Sequence, residues 1–230
     1  MTEIKDWNYV YEEQVSSTND AIKKYCLEPG QKTVIRTSRQ TAGRGRRGRK
    51  WFNGKGNLYF SLAFEFDIKQ LGFLVMISSL SLAQTVEGLN PEASPSLKWP
   101  NDVLINNSKL SGILLEKAEG NYMIVGIGVN VETKPKKKQI HCKITSLKEN
   151  GILCTAEEFM FAYLDNFNSN LALLQRGGKL QLRAEWLKRT CGIGQMITVR
   201  REDKVERGLF AGIDENMALL LTLYDEFWLL

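Results

Sequence analysis

Apolar residues alternate with polar ones in several stretches of the chain, and this period of two predicts β-strands. The clearest case is residues 57–66, where Leu58, Phe60, Leu62, Phe64 and Phe66 fall on one face. The β-branched run 33–38 and the shorter run 7–11 have the same character. Residues 122–131 (YMIVGIGVNV) predict an interior strand whose glycines admit a close neighbour.

Longer apolar stretches and capping signals predict helices. Residues 68–89 are long and apolar enough for a buried helix, but no run of the chain approaches the roughly 18 consecutive apolar residues of a membrane span. Thr155, followed three residues later by Glu158, predicts the start of a helix toward Gln175, and a second helix is predicted at about 180–190. Ser17 and Asp20 have the same capping-box spacing and predict another helix start.

Turn residues complete the predicted organisation. Residues 97–99 and 103–105 lead through Asn106-Asn107 into 109–116, which predicts a β-hairpin. After Gly192 and Gly194, alternating runs at 196–200, 208–213 and 218–223 predict a small β-barrel. We therefore expect an α+β protein, with a mixed sheet flanked by helices in residues 1–190 and a compact all-β domain in residues 191–230.

The net charge comes from one short segment. The 230 residues carry 31 Lys+Arg and 26 Asp+Glu, a formal net charge of +5. Seven of the cations and no acid lie between Arg36 and Lys50, so the rest of the chain has 24 cations against 26 acids. A hydrophobic content of 43% excludes global disorder. The acids near the amino terminus are unlike a signal peptide, and we expect a cytoplasmic protein.

Cysteine and histidine usage narrows the chemistry. The four cysteines, Cys26, Cys142, Cys154 and Cys191, form no C-x-x-C pair, which is typical of reduced thiols and argues against a structural zinc site. His141 is the only histidine, and it stands next to Cys142 in a lysine-rich stretch. We interpret it as a surface or loop residue, which argues against Ser-His-Asp or Cys-His catalysis.

The basic segment contains residues 43–48 (GRGRRG), which match the dinucleotide fingerprint G-x-G-x-x-G in letters only. That fingerprint must open a helix, whereas this segment runs through Lys50-Trp51 into the strand at 57–66. What remains is a glycine-spaced loop of guanidiniums suited to phosphate or carboxylate, expected to be disordered until an anion neutralises it. Composition alone slightly favours a nucleic-acid arm, but the position between two core strands argues against one.

A second cluster lies on the predicted hairpin. Asp102 and Lys109 stand on opposite arms and could face one cleft. A lysine beside a nucleotide can neutralise an α-phosphate and an attacking carboxylate together, which lowers the repulsion between two anions. Taken alone, Lys109 is better explained as an ordinary charge on a surface hairpin.

Five motifs together resemble those of biotin protein ligases, in order and spacing along essentially the whole chain. They are Ser17-Thr18-Asn19, residues 40–51 (QTAGRGRRGRKW), residues 98–102 (KWPND), residues 109–112 (KLSG) and residues 126–130 (GIGVN). The arginine loop combined with K-W-P-N-D carries most of the specificity. The resemblance implies the biotin/lipoate ligase fold, related to class II aminoacyl-tRNA synthetases, with an SH3-like barrel at the carboxyl end.

The same resemblance implies a two-step reaction, in which biotin and MgATP give biotinyl-5′-AMP and biotin is then transferred to a lysine of a biotin carboxyl carrier protein. The implied catalytic residues are Lys109, Arg44 and Arg46. The implied biotin-binding residues are Ser17, Thr18, Asn19, Gln40, Arg44, Gly45, Arg46, Lys109 and Gly112, in a pocket that strands such as LYFSLAF and YMIVGIGV can line. The implied ATP-binding residues are Arg46, Arg47, Arg49, Trp51, Asn101, Asp102, Lys109 and Asn130, with Asp102 also the metal candidate.

Two departures and two alternatives accompany this resemblance. Repressor members carry an amino-terminal DNA-binding domain, for which we expect no room before Ser17, and the carboxyl-terminal barrel ends early at Leu230. We therefore expect no nucleic-acid partner and no membrane partner, and a homodimer through edge-strand pairing stays open. A lipoate or octanoate ligase is the alternative enzyme, and an arginine-loop nucleic-acid module is the alternative of another class. Residues 134–138 (KPKKK) could dock an acidic carrier.

Overall fold

An eight-stranded mixed sheet forms the centre of the protein. The computed structural model describes residues 2–25, 29–135, 142–200 and 204–223. The strands of the sheet are β1 (Thr2–Ile4), β2 (Trp7–Val15), β3 (Thr33–Gln40), β4 (Leu58–Glu65), β5 (Pro95–Lys98), β6 (Asp102–Ile105), β7 (Ser108–Lys117) and β8 (Tyr122–Val129). Their order is β1-β2-β3-β4-β8-β7-β6-β5, with β2 and β3 parallel and the other pairs antiparallel.

Three helices cover one face of this sheet. They are α2 (Leu71–Leu89), α3 (Ala156–Gln175) and α4 (Lys179–Lys188), and they bury Leu58, Phe60, Leu62 and Phe64 of β4 in the main core. The alternation at residues 57–66 thus correctly predicted which face of β4 packs in the main core. The other face of β4 is buried as well, because the short helix α1 (Thr18–Ala21) and the 3₁₀ turn Ile22–Tyr25 pack against it, with Ile22 touching Ala63.

The long apolar stretch at residues 68–89 is a core helix with a 3₁₀ turn at its start. Among the described residues it is also the one helical stretch long and apolar enough to cross a membrane by length and composition. In its most apolar window 67% is buried inside the protein. Helix α2 packs against the sheet and also against α3 and α4, which accounts for its apolar composition.

The two capping signals have different outcomes. Thr155 caps α3, and its hydroxyl accepts a bond from the Glu158 backbone while the Glu158 carboxylate accepts one from the Thr155 backbone. This capping box is confirmed. Ser17 does precede α1, but its side chain makes no capping bond. The first backbone donors of α1 have other acceptors, because Thr18 N donates to Gln40 Oε1 and Asp20 N donates to Ser17 O.

The predicted hairpin is confirmed as β6 and β7. Asn106 and Asn107 connect the two strands with φ of 50° and 56°, the left-handed values that a type I′ turn requires. Asn adopts these values more readily than most residues, and this explains why the pair marks the turn. The turn fixes the register in which Asp102 and Lys109 come close.

The carboxyl-terminal segment forms a three-stranded antiparallel sheet. Its strands are β9 (Met196–Arg200), β10 (Val205–Ile213) and β11 (Leu219–Thr222), in the order β11-β10-β9. The three predicted runs are confirmed, but the strands described here do not close into a barrel. Phe210, Ile213 and Met217 are buried in the main core, and Trp99 Nε1 donates to Met217 O at 3.2 Å.

Several expectations fall outside the described residues. These are the surface position of His141, the thiol of Cys26, the lysines at 136–138 and the last residues of the chain, 224–230. Cys142, Cys154 and Cys191 are described, and each is a free thiol. Burial raises the pKa of the Cys154 thiol to about 11, so this cysteine is a poor nucleophile near neutral pH.

Candidate active site

The sheet face opposite helices α2–α4 carries most of the residues that the motifs predict. On β8, Val125, Ile127 and Val129 point into the main core, so Gly126 and Gly128 alternate to the other face. Two side chains occupy the space above these glycines. A Cβ at Gly126 would lie 2.2 Å from Asn19 Oδ1, and one at Gly128 would lie 2.4 Å from the Trp51 ring. One strand therefore holds the first motif and the arginine-loop motif side by side.

A polar network fixes the amino-terminal part of this surface. Thr18 and Asn19 are 4% and 3% exposed. Gln40 Oε1 accepts bonds from the Thr18 backbone at 2.9 Å and from its hydroxyl at 3.3 Å. Ser17 is also buried, at the start of α1. The structure thus brings together four of the predicted biotin-binding residues: Ser17, Thr18, Asn19 and Gln40.

Trp51 lies in a seat made of two glycines. Gly112 on β7 and Gly128 on β8 are direct partners in the sheet, and a Cβ at Gly112 would be 3.0 Å from the Trp51 ring. Lys109 Nζ lies 5.4 Å from the centre of the same ring. Only glycine leaves room for the indole at these paired positions, so the glycines of K-L-S-G and G-I-G-V-N have a packing reason.

Lys109 and Asp102 form an ion pair across the hairpin. Lys109 Nζ donates to Asp102 Oδ1 at 2.6 Å, and both side chains are about a quarter exposed. The structure thus brings together the two residues of the predicted cleft, whose role stays a prediction. Lys109 is also tied to the segment after β8, because its backbone N–H donates to Lys143 O and its carbonyl accepts from Thr145. Both the backbone N–H and the backbone C=O of Lys109 are therefore hydrogen-bonded to this segment.

The arginine loop has a defined path, which corrects the expectation of disorder. Arg44 and Lys50 pair as an antiparallel bridge, and Gly45 N donates to Arg49 O at 2.6 Å. Arg44 forms a bidentate pair with Asp20, at 2.6 and 2.8 Å, and a second one with Glu116, at 3.0 and 2.8 Å. Two carboxylates of the protein itself therefore neutralise the base of the loop. The bond to Arg44 lowers the pKa of Asp20.

The remaining arginines differ in their partners. Arg46 Nη1 donates to the neutral Asn101 Oδ1 at 3.2 Å, and partial desolvation together with the charge of Arg47 lowers the pKa of Arg46. Arg47 bonds to the carbonyl of Arg200 in the carboxyl-terminal sheet. Arg49 is exposed. Arg46 is thus the loop cation that lies beside the hairpin without a carboxylate partner among the described residues.

Two asparagines of the predicted ATP-binding set donate hydrogen bonds to backbone carbonyl groups. Asn101 Nδ2 donates to Ile113 O at 2.8 Å, which ties the K-W-P-N-D turn to β7. Asn130 is 3% exposed, and its amide donates to Thr145 O at 3.1 Å. Asn101 lies at the cleft next to Arg46, whereas Asn130 holds the segment that follows Lys143. Their predicted nucleotide roles stay predictions.

The donor set of the cleft fits a metal that arrives with phosphates. Among the described residues no group of three or more His, Cys, Asp and Glu side chains could hold a metal ion. Mg²⁺ typically binds one or two carboxylates and completes its coordination with substrate phosphates and water. Asp102 is a carboxylate of the cleft that could serve in this way.

The sequence patterns did not predict four residues that contact the site and motif residues. Asp20 and Glu116 hold Arg44, Ser61 contacts Asn19 and Thr18, and Met217 accepts the bond from Trp99. Ser61 carried one available signal, since it is a serine inside the apolar run LYFSLAF. The carboxylates carried none, because ion pairs between distant segments leave no periodic pattern.

Comparisons with known proteins identify the family of this chain. A model of the Biotin/lipoate A/B protein ligase family matches residues 11–132. The chain is 35% identical over 198 residues to the biotin–[acetyl-CoA-carboxylase] ligase of Paracoccus denitrificans, covering 79% of this chain and 80% of that protein. It is 29% identical to the bifunctional ligase/repressor BirA of Escherichia coli (strain K12), of which it spans 59%.

A solved structure shows the same likeness. The biotin protein ligase of Aquifex aeolicus in complex with biotin and ATP superposes with a TM-score of 0.82 at 30% identity. The superposition covers 93% of this chain and 91% of that one.

Proposed function

The chain belongs to the biotin/lipoate A/B protein ligase family, and on that premise we propose that it is a biotin protein ligase. In the first step a carboxylate oxygen of biotin attacks the α-phosphorus of ATP, and pyrophosphate leaves. In the second step the amine of a carrier lysine attacks the carbonyl of biotinyl-5′-AMP. An amide forms, AMP leaves, and the lysine loses a proton.

The observation that carries this proposal is the continuity of the surface along β8. Asn19 lies over Gly126 and Trp51 lies over Gly128, two residues further along the same strand. Lys109 adjoins Trp51, and Asp102 accepts a hydrogen bond from Lys109. A ligand with a polar ring at one end and a carboxylate at the other matches this sequence of groups, from fixed hydrogen-bonding side chains to cations.

The cations give a physical reason for catalysis of the first step. Biotin carboxylate and ATP phosphate repel each other as they approach, and Lys109 and Arg46 can neutralise both. Arg46 suits this role because its partner is a neutral amide, so binding an anion costs it no ion pair. Arg44 already holds two carboxylates. We therefore assign Arg44 to anchoring the loop, and Gly45 and Arg49 to the bridge that shapes it.

ATP is the co-substrate in this proposal, and Mg²⁺ enters with it. Asp102, Asn101 and Asn130 would help to place the nucleotide, and Arg47, Arg49 and Trp51 would add charge and a flat surface. Asp102 is the residue that would contact the metal, since Mg²⁺ prefers carboxylate oxygen. A loop closed over the mixed anhydride would exclude water and delay its escape.

The acceptor of the second step is a lysine of a biotin carboxyl carrier protein. Residues 1–190 would form the ligase domain and residues 191–230 a small carboxyl-terminal domain. The separate three-stranded sheet supports this division. Docking of an acidic carrier by the basic residues at 134–138 and homodimer formation through sheet edges remain further proposals. A Lys136/Lys137/Lys138→Glu variant with unchanged transfer would remove the docking proposal.

Pyrophosphate exchange tests the first step directly. Purified protein is incubated with ATP, Mg²⁺ and labelled pyrophosphate, with biotin, lipoate or no acid added. We expect label to enter ATP with biotin only, because exchange requires reversible formation of the matching adenylate. Omission of Mg²⁺ should abolish the exchange.

Other outcomes identify the alternatives. Exchange with lipoate but not with biotin would assign the chain to lipoate activation. No exchange with either acid, together with nucleic-acid binding that weakens steeply with salt, would support the arginine-loop binding module instead.

A further inference from the structure

Ser61 is a buried polar residue in the middle of β4 that no motif predicts. It is fully buried, and its hydroxyl lies 2.6 Å from Asn19 Oδ1 and 2.8 Å from Thr18 Oγ1. A hydroxyl has one proton and two lone pairs. The Asn19 oxygen can only accept and is the nearer of the two contacts, so the Ser61 proton is best used toward Asn19.

The opposite strand confines the same amide. Gly126 is the direct partner of Ser61 in the β4–β8 pairing. A Cβ at Gly126 would lie 2.2 Å from Asn19 Oδ1 and 3.0 Å from Nδ2. The Asn19 amide therefore rests on the bare backbone of one strand and accepts a hydrogen bond from the other. Both constraints come from neighbouring positions of the central sheet.

This arrangement decides which end of the amide is available. Asn19 Oδ1 is satisfied by Ser61, while Asn19 Nδ2 is buried and has no hydrogen-bond partner among the residues that the structure describes. A buried donor without a partner costs free energy until an acceptor reaches it. The site is thus built to receive a ligand atom that accepts a hydrogen bond.

We propose that Ser61 is a positioning residue that sets ligand specificity by orienting the Asn19 amide with its NH₂ group toward the ligand. The proposal rests on the proposed function, in which Asn19 binds the ureido ring of biotin. The ureido oxygen is then the acceptor that Asn19 Nδ2 requires. A ring with a donor at that position meets a second donor and is rejected.

The test compares biotin with 2-iminobiotin, in which an imino group replaces the ureido oxygen. That group is protonated at neutral pH and offers only donors, as an arginine side chain does. Pyrophosphate exchange gives kcat/KM for each acid in the wild-type protein and in Ser61→Ala. In the variant the amide can turn its oxygen to the ligand. We expect the preference for biotin over iminobiotin to fall about tenfold or more, the effect of one buried hydrogen bond.

Matched variants separate orientation from stability. Ser61→Thr keeps the hydroxyl and should keep the wild-type preference. Ser61→Cys retains a side chain of similar size with a weak donor, and it carries the same test if Ser61→Ala fails to fold. Ser78→Ala removes another fully buried hydroxyl, which bonds Leu74 O inside α2, and should leave the preference unchanged.

The outcomes are distinguishable from failure of the proposed function. Wild-type protein without biotin-dependent exchange would overturn the function itself. Normal wild-type exchange with equal losses for both acids in Ser61→Ala and Ser61→Cys would overturn the orienting role, because a merely structural residue affects both ligands alike. A fall in the preference that Ser61→Thr restores would support it.

Discussion

Lys109 shows how one residue acquires a role that its type alone does not give. Its ammonium is held by Asp102 on one side and lies 5.4 Å from the Trp51 ring centre on another. Its backbone is bonded to Lys143 and Thr145. An ordinary surface lysine has none of these constraints, so its position is set before any anion binds.

Replacing Lys109 by Ala should therefore lower the rate of adenylate formation by about 100-fold or more, since a charge that stabilises the transition state is lost. Folding should change little, because a partly exposed ion pair contributes about 0 to 1 kcal/mol. Single-turnover formation of biotinyl-5′-AMP and a thermal melt measure the two effects. Lys117→Ala, an exposed lysine on the same strand, is the control. Near-normal turnover in Lys109→Ala would remove it from the mechanism.

At the scale of elements, the arginine loop is held by side chains of two neighbouring elements. Asp20 comes from α1 and Glu116 from β7, and both bind Arg44. The base of the loop is therefore fixed where the loop, α1 and β7 meet, and these three segments are distant in sequence. Because the Arg44 bond lowers the pKa of Asp20, this anchor is complete above the ordinary carboxyl pKa of about 4 and is lost as the pH falls through the lowered value.

Weakening this anchor should make the loop open more often. We expect Asp20→Asn to accelerate dissociation of biotinyl-5′-AMP about threefold, a modest effect because the pair is partly exposed. The off-rate of biotinyl-5′-AMP is measured by displacement with unlabelled ligand. In wild-type protein it should rise only at acidic pH, and in Asp20→Asn it should depend less on pH. Asp165→Asn removes a carboxylate that pairs with Lys5 elsewhere and should leave the off-rate unchanged. An unchanged off-rate in Asp20→Asn would contradict the anchoring role.

For the whole molecule, the carboxyl-terminal sheet is attached directly to the cleft. Trp99, within K-W-P-N-D, donates to Met217 O, and Arg47 of the loop bonds to Arg200 O. Arg183 of α4 bonds to Ile213 O. Each of the two motifs that we propose to bind the nucleotide thus has a contact with this sheet, and we expect the sheet to affect ATP binding through these contacts.

Trp99→Phe tests this attachment by removing the indole N–H. We expect KM for ATP to rise several-fold while the Kd of biotin stays constant, because one hydrogen bond of about 0.5–1.5 kcal/mol orients the turn. Trp186→Phe removes an indole bond to Ser79 inside the helical core. That control should lower the melting temperature without changing KM for ATP. Equal effects of both substitutions on ATP would show that Trp99 acts through stability alone.

The sequence by itself determined the described strands other than β1, the long helices, the hairpin at Asn106-Asn107 and the α3 cap, because alternation, turn residues and capping boxes act over a few neighbouring residues. It also identified the family, through the joint spacing of the motifs. Only the tertiary structure decided the side-chain partners. Ser17 lacks its predicted cap, Arg44 is neutralised by Asp20 and Glu116, and Ser61 faces Asn19 across 42 positions. Such pairings depend on strand register and on how segments meet across the sheet, and no local pattern encodes either.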